Sequence, residues 1–479
     1  MDFQWEKSSV LYYYLIIYMT NNIPSTHLFT EQDLHLYEIQ NIYTACALWL
    51  ENKMENQIAT YDLIVRDLPK NRNFLLFGGL EEIIEGIRKW KYTKEDVAYL
   101  KKAGLATDKL AKYLSKFKFT GDLYSLPEGT AFFPGEPVVR ITAPICEGNL
   151  FTMFLMNVLS SNTIFLSKIA RLRIAAGDKM LVTGGGMRTH GFEAAMKGSR
   201  AGYIAGAVAG FPGFFRKYNL EPAKVSINAY HAVIKSFPSE KEAFRAAAAL
   251  YPNNARPMVD TYDFKKGIGN LIVVAKELKK RGQHFAAITI DSGDLGERAW
   301  YAKRAFCRAG FPEIKITLAS NLDEWKIQEL MSKKIPVDSF LAQTEVACVS
   351  DDPKLEVVFK LAELRYGKMV RPVAKLAKGK VSYPGRKQVF RKYNHGEFDY
   401  DIIGLENEGL GESLLKKMIN QGKIVYRLPS LDEIKDYTKK QIGQLPQRLR
   451  SIDKQYGYKV KVSAGLEKLM SQVKKQELK

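Results

Sequence analysis

The chain has 479 residues, 46% hydrophobic, with 25 Tyr and 25 Phe, so it can bury two or three domains and is not a disordered polymer. Its net charge of +20 favours anionic partners, but no Arg-rich arm or aromatic-basic motif marks a nucleic-acid reader, and phosphorylated small molecules fit better. Four scattered cysteines, Cys46, Cys146, Cys307 and Cys348, form no Cys-x-x-Cys pair, which excludes a disulfide framework and fits a reducing cytoplasm.

In chain order, residues 1–30 read as an N-terminal extension. Its apolar run Val10–Met19 is too short to span a bilayer, so no membrane association is expected. Apolar residues three and four apart predict a helix over Leu36–Leu50, and further helices over Leu80–Lys89 and within Thr93–Lys118. Tyr61–Arg66 fits a strand or a helix end. Short β-like runs follow at Ala131–Phe133 and Pro137–Ala143, then helices at Asn149–Asn157 and Ser161–Ala176. From Met180 to Lys360 strand-like runs (Met180–Thr183, Val225–Ile227, Phe285–Ile290, Lys315–Ala319, Asp338–Leu341) alternate with helical ones, which predicts a parallel sheet closing toward a barrel. Helices are expected again at Leu410–Gln421 and Leu431–Ile452, the second interrupted around Pro446. The domain expectation is an irregular, incomplete TIM-like α/β barrel over residues 146–365.

Enzymes of this class keep their chemistry at the carboxyl ends of the strands. Four polar turns occupy such positions. Gly184-Gly185-Gly186-Met187-Arg188 could expose backbone N–H groups and a guanidinium to phosphate, or be a plain glycine turn. His231 follows Val225–Ile227 and is one of six histidines; it could be nucleophilic or structural. Asp291-Ser292-Gly293-Asp294 follows Phe285–Ile290 and reads as a helix cap, a grip on sugar hydroxyls or a cation site. Ser320-Asn321 repeats the layout. Asp260-Thr261-Tyr262-Asp263 places two carboxylates before a helix, with the same alternatives. Together the turns predict one site on one rim.

The order and spacing of several segments resemble the nicotinate phosphoribosyltransferase family of type II phosphoribosyltransferases. These are Leu68–Glu82, Leu126–Pro137, Val259–Asp263, Ile290–Leu295, Phe359–Glu363 and Pro384–Val389. The resemblance implies transfer of phosphoribosyl from 5-phosphoribosyl-1-pyrophosphate to nicotinate, yielding nicotinate mononucleotide and pyrophosphate in NAD salvage. It implies Mg²⁺, coupling to ATP hydrolysis through a phosphohistidine, a homodimer, and a second, α+β domain that combines residues 31–145 with 366–479. Carried over residue by residue, His231 is the phosphorylated histidine and Arg188 one of the family's two adjacent arginines, the other being Met187 here. Tyr37 stacks on the pyridine ring. Arg188 with Gly185 and Gly186 holds the pyrophosphate. Asp291, Ser292, Gly293 and Asp294 form the ribose-side turn, with Asp291 and Asp294 toward Mg²⁺. Ser320, Asn321 and Thr344 complete the substrate site. Two stretches depart from the pattern. Ala209-Gly210-Phe211-Pro212 stands where the family has Gly-Thr-Ser-Asn, and Leu341-Ala342-Gln343-Thr344 where it has Gly-Val-Gly-Thr. These departures leave open a changed pyridine substrate such as nicotinamide, or a pseudoenzyme.

Overall fold

A computed structural model describes residues 34–184, 186–209, 211–221, 223 and 225–478. The expected extension over residues 1–30 and its run Val10–Met19 lie outside the described residues. The first sheet is antiparallel and has seven strands. Its order is Met369–Pro372, Val357–Tyr366, Ile58–Val65, Pro137–Pro144, Asp122–Ser125, Lys416–Asn420 and Lys423–Ile424. Early and late parts of the chain therefore interleave in one sheet. Tyr61–Arg66, which fitted a strand or a helix end, falls mostly in the strand Ile58–Val65, an interior strand of this sheet that is nearly all buried, as a strand covered on both faces should be. A four-stranded sheet containing Lys387–Asn394 and Glu397–Leu405 joins it through Arg140, which donates to the Lys387 carbonyl and pairs with Glu406 at 2.6 Å.

Seven short parallel strands build the second part: β1 (Met180–Thr183), β2 (Val208–Ala209), β3 (Ile227–Ala229), β4 (Ala255–Pro257), β5 (Ala287–Ile290), β6 (Lys315–Leu318) and β7 (Ser339–Ala342). Their neighbours run β2-β1-β7-β6-β5. β4 continues the series through a parallel bridge between Met258 and Thr289, and β3 pairs with β4. Among the described residues no pairing joins β2 to β3, so the ring is open there. All seven carboxyl ends face one rim.

The 25-residue helix Thr152–Ala176 connects the two parts. Phe154, Leu155, Val158 and Leu159 lie in the core under the antiparallel sheet, whereas Ile164, Phe165, Leu166, Ile169 and Leu172 lie in the barrel core. A helix serving two cores is apolar on most sides and carries no clean stripe. The apolar stretch Ile145–Ala176 has the length and hydropathy of a membrane span, yet 67% of its window is buried inside the fold, as in a core helix. Lys168 and Arg171 on this helix meet Glu324 at 2.6 and 2.9 Å, and Arg72 and Asp351 close the same buried ion network.

Two expectations about elements change. The two helices expected at Asn149–Asn157 and Ser161–Ala176 are continuous from Thr152, because the Asn162 amide bonds the Val158 carbonyl and Glu82 instead of ending a helix. Leu410–Gln421 is not helical. Lys416–Asn420 pairs with Asp122–Ser125 and buries Met418 and Ile419, so tertiary pairing overrides local pattern. Leu431–Ile452 keeps its expected interruption: the helix runs to Gln444, and Leu445-Pro446 stops it before a 3₁₀ turn.

Candidate active site

Three strand ends supply the centre of the site. β3 leads directly into the helix His231–Ser236, placing the imidazole at the rim. β4 ends at Pro257, and Asp260-Thr261 follows three residues later. β5, buried along its whole length, ends in Asp291-Ser292-Gly293. One ligand atom from each of His231, Asp260 and Asp291 falls within 4.8 Å of the others.

The hydrogen bonds fix how these groups face one another. His231 Nε2 lies 3.2 Å from Asp291 Oδ1, and Nδ1 lies 3.0 Å from Thr261 Oγ1. A carboxylate only accepts, so Nε2 carries the proton, and in the neutral ring Nδ1 keeps a lone pair facing the Thr261 hydroxyl. Asp260 Oδ2 accepts from the Asp291 backbone N–H at 3.0 Å and the Ser292 hydroxyl at 2.6 Å. Asp260 Oδ1 is buried and has no protein donor. Burial, then the neighbouring Asp260 charge, push the Asp291 carboxyl above its ordinary value, and His231 opposes this.

Asp294 is turned away from this group. Its Oδ1 accepts from the Glu297 N–H at 2.8 Å and caps the helix Leu295–Ala309. The carboxylate beside Asp291 is thus Asp260 rather than Asp294. Ser320 and Asn321 form a left-handed turn after β6, with φ of +82° and +44°. Thr344 opens a four-residue helix after β7. Arg188 is exposed after β1, and its carbonyl accepts from Cys348 Sγ at 2.8 Å. Gly186 lies under the Phe211 ring, where an added Cβ would come within 2.0 Å of it, and the Gln343 amide stands 3.7 Å from the corresponding point on Gly184. Both divergent stretches therefore pack on the glycine turn. Gly185 and the side chain of Tyr37 lie outside the described residues.

Asp260 was visible in sequence as one of two carboxylates before a helix. Its strand is only three residues long and ends in Pro257, so the rim position was not legible. Thr261 carries no signal apart from adjacency to Asp260.

Residues 36–160 match the family described as nicotinate phosphoribosyltransferase (NAPRTase) N-terminal domain, and residues 410–470 match its C-terminal domain. The chain is 36% identical over 433 residues to the nicotinate phosphoribosyltransferase pncB2 of Mycobacterium tuberculosis, covering 89% of this chain and 90% of that protein. It is 30% identical over 473 residues to the Bacillus subtilis nicotinate phosphoribosyltransferase, covering 91% and 94%. In fold it is similar to human nicotinic acid phosphoribosyltransferase, with a TM-score of 0.80 at 20% identity over 91% of this chain and 99% of that one.

Proposed function

The chain belongs to the nicotinate phosphoribosyltransferase family, and from that premise we propose that it joins nicotinate to 5-phosphoribosyl-1-pyrophosphate, forming nicotinate mononucleotide and pyrophosphate in NAD salvage. The observation that carries this reading is the cluster of His231, Asp260 and Asp291 on one rim of parallel strands, in a chain with end-to-end relatives of that name. Asp291 is proposed to stabilise positive charge developing on the ribose as the pyrophosphate leaves, the electrostatic role open to a preorganised carboxylate. Arg188 and the turn around Gly186 are proposed to receive the pyrophosphate, and Tyr37 the pyridine ring. Ser320, Asn321 and Thr344 are proposed as further substrate contacts.

ATP coupling is proposed to run through His231. With Nε2–H donated to Asp291, Nδ1 holds the lone pair that would attack a phosphoryl group once Thr261 releases it. Mg²⁺ fits the oxygen-rich side of the cluster. Asp260, with its unpartnered buried Oδ1, and Asp291 would hold it, and it would neutralise phosphate charge there. Asp294, occupied as a helix cap, is not included. A homodimer is proposed as well, with exposed Met187, Phe192, Tyr230 and Tyr262 on the strand-end loops as apolar surface for a second copy. The four cysteines, all free, agree with the proposed cytoplasmic setting.

The test is purified protein with phosphoribosyl pyrophosphate, Mg²⁺, ATP and either nicotinate or nicotinamide. Mononucleotide from nicotinate supports the proposal, and product from nicotinamide alone moves it to a related transferase. No product, where a reference enzyme works, leaves a pseudoenzyme. His231→Ala should lose ATP coupling while keeping some ATP-independent turnover, and unchanged ATP hydrolysis in that variant would sink the assignment.

A further inference from the structure

Arg298 lies in the first turn of the helix that Asp294 caps, and its side chain reaches back across the acidic turn. Nη1 donates to Ser292 Oγ at 2.7 Å and stands 3.6 Å from Asp260 Oδ2. The guanidinium also lies over the Phe264 ring, 4.9 Å from its centroid. It fills the space above Gly293, where an added Cβ would meet Cζ at 2.5 Å, and Gly293 has φ +68°. Among the described residues, the side-chain ion pairs of the two neighbouring carboxylates are His231 with Asp291 and Arg298 with Asp260.

We propose that Arg298 is a positioning residue for phosphoribosyl transfer: by bracing Ser292 and Asp260 it holds the Asp291 carboxylate toward His231. The proposal rests on the site reading given above. A left-handed glycine turn is a soft place to hang a charged group, and two adjacent carboxylates repel. Asp260 pins the turn from one side through the Asp291 N–H and the Ser292 hydroxyl. Arg298 closes the other side, saturates the same hydroxyl and offsets the charge of Asp260. Without it, Ser292 and the Asp260 carboxylate can rotate and the turn loses its backing. A displacement of about 1 Å of a reacting group costs on the order of 100-fold in rate.

The experiment compares Arg298→Met, which keeps the aliphatic reach, with Arg298→Lys, which keeps the charge, in the full-length protein. The expected result for Arg298→Met is a kcat lower by about 10- to 100-fold, with KM for nicotinate changed by less than about threefold and an unaltered melting transition. Arg298→Lys should recover part of kcat. Gly293→Ala, which pushes a methyl group into the guanidinium, should reproduce the kcat loss with Arg298 still present. Wild-type kcat in Arg298→Met overturns the proposal, as does a loss confined to KM or no recovery in Arg298→Lys. Asp291→Asn separates this from the underlying reading. An inactive Asp291→Asn beside an unaffected Arg298→Met removes only the role of Arg298, whereas a fully active Asp291→Asn removes the site assignment itself.

Discussion

Glu38 gives a prediction whose size follows from its surroundings. Its two carboxylate oxygens accept from the Met153 N–H at 2.9 and 3.1 Å, and Oε1 accepts from Phe154 at 3.1 Å, so it caps the start of the central helix from outside that helix. It is buried, and burial outweighs these hydrogen bonds, raising its pKa from 4.5 to about 7. Between those two values the unfolded chain has released the proton and the folded chain keeps it. Stability therefore falls by about 1.4 kcal/mol per pH unit across the window, about 3 kcal/mol in all. The contribution is whole below pH 4.5 and lost as pH rises through about 7. Glu38→Gln keeps an acceptor for the helix N–H groups but cannot ionise. Urea unfolding of both proteins from pH 4.5 to 8 should show the difference in unfolding free energy moving by about 3 kcal/mol in favour of Gln as pH rises. A difference that stays constant with pH would refute the argument, because a cap lost for steric reasons costs the same at every pH.

Three further outcomes are expected. Glu324→Gln leaves the buried cations Lys168, Arg171 and Arg72 opposite Asp351 alone, and should cost about 3–5 kcal/mol in urea unfolding. Asp291→Asn should lose transferase activity yet gain stability at neutral pH. The raised proton affinity of this carboxyl means its contribution is present below the ordinary carboxylate range and lost above it, so ionised Asp291 opposes folding at pH 7. Phe211→Ser restores a hydroxyl where the family carries one, and should lower KM for phosphoribosyl pyrophosphate about tenfold; an unchanged KM would show that this loop does not meet phosphate.

The legible parts of the fold were those written in local chemistry. β5 and β6 are short β-branched runs followed by polar turns, and both occur where the alternation places them. β2 and β4 have two and three residues, too few for any periodicity, and they acquire meaning only as neighbours of β1 and β5. Lys416–Asn420 is the opposite failure. Its sequence tolerates a helix, and pairing with Asp122–Ser125, nearly 300 residues earlier, decides it. The same division runs through the site. Asp291 announced itself by following a buried strand and the acidic turn by opening a helix, but the cap falls to Asp294 and not to Asp291 or Ser292, the capping residues the sequence suggests. That Asp260 rather than Asp294 stands beside Asp291 depends on two strand ends meeting in space. Arg298 acts back across a glycine, a relation with no sequence spacing of its own.

The two sides of the site are also built differently. The acidic side hangs on β3, β4 and β5; Val259 after β4 and Ile288 and Ile290 within β5 are fully buried, so its carboxylates are fixed by the core beneath them. The proposed phosphate side is made of turns, and here the departures from the family pattern compensate one another in space. Gly186 makes room for the Phe211 ring, and Gly184 faces the Gln343 amide. Bulk has been added on the facing loops while the glycine turn that accommodates it is kept. Phe211 removes a hydroxyl from this surface, but Gln343 adds an amide N–H next to Gly184, whose own backbone N–H donates to the Ala342 carbonyl at 3.3 Å. On the proposed phosphate side a side-chain amide thus stands where the family resemblance implies backbone and hydroxyl donors. Such a change alters how a phosphate is held and leaves the carboxylate machinery on the neighbouring strands untouched.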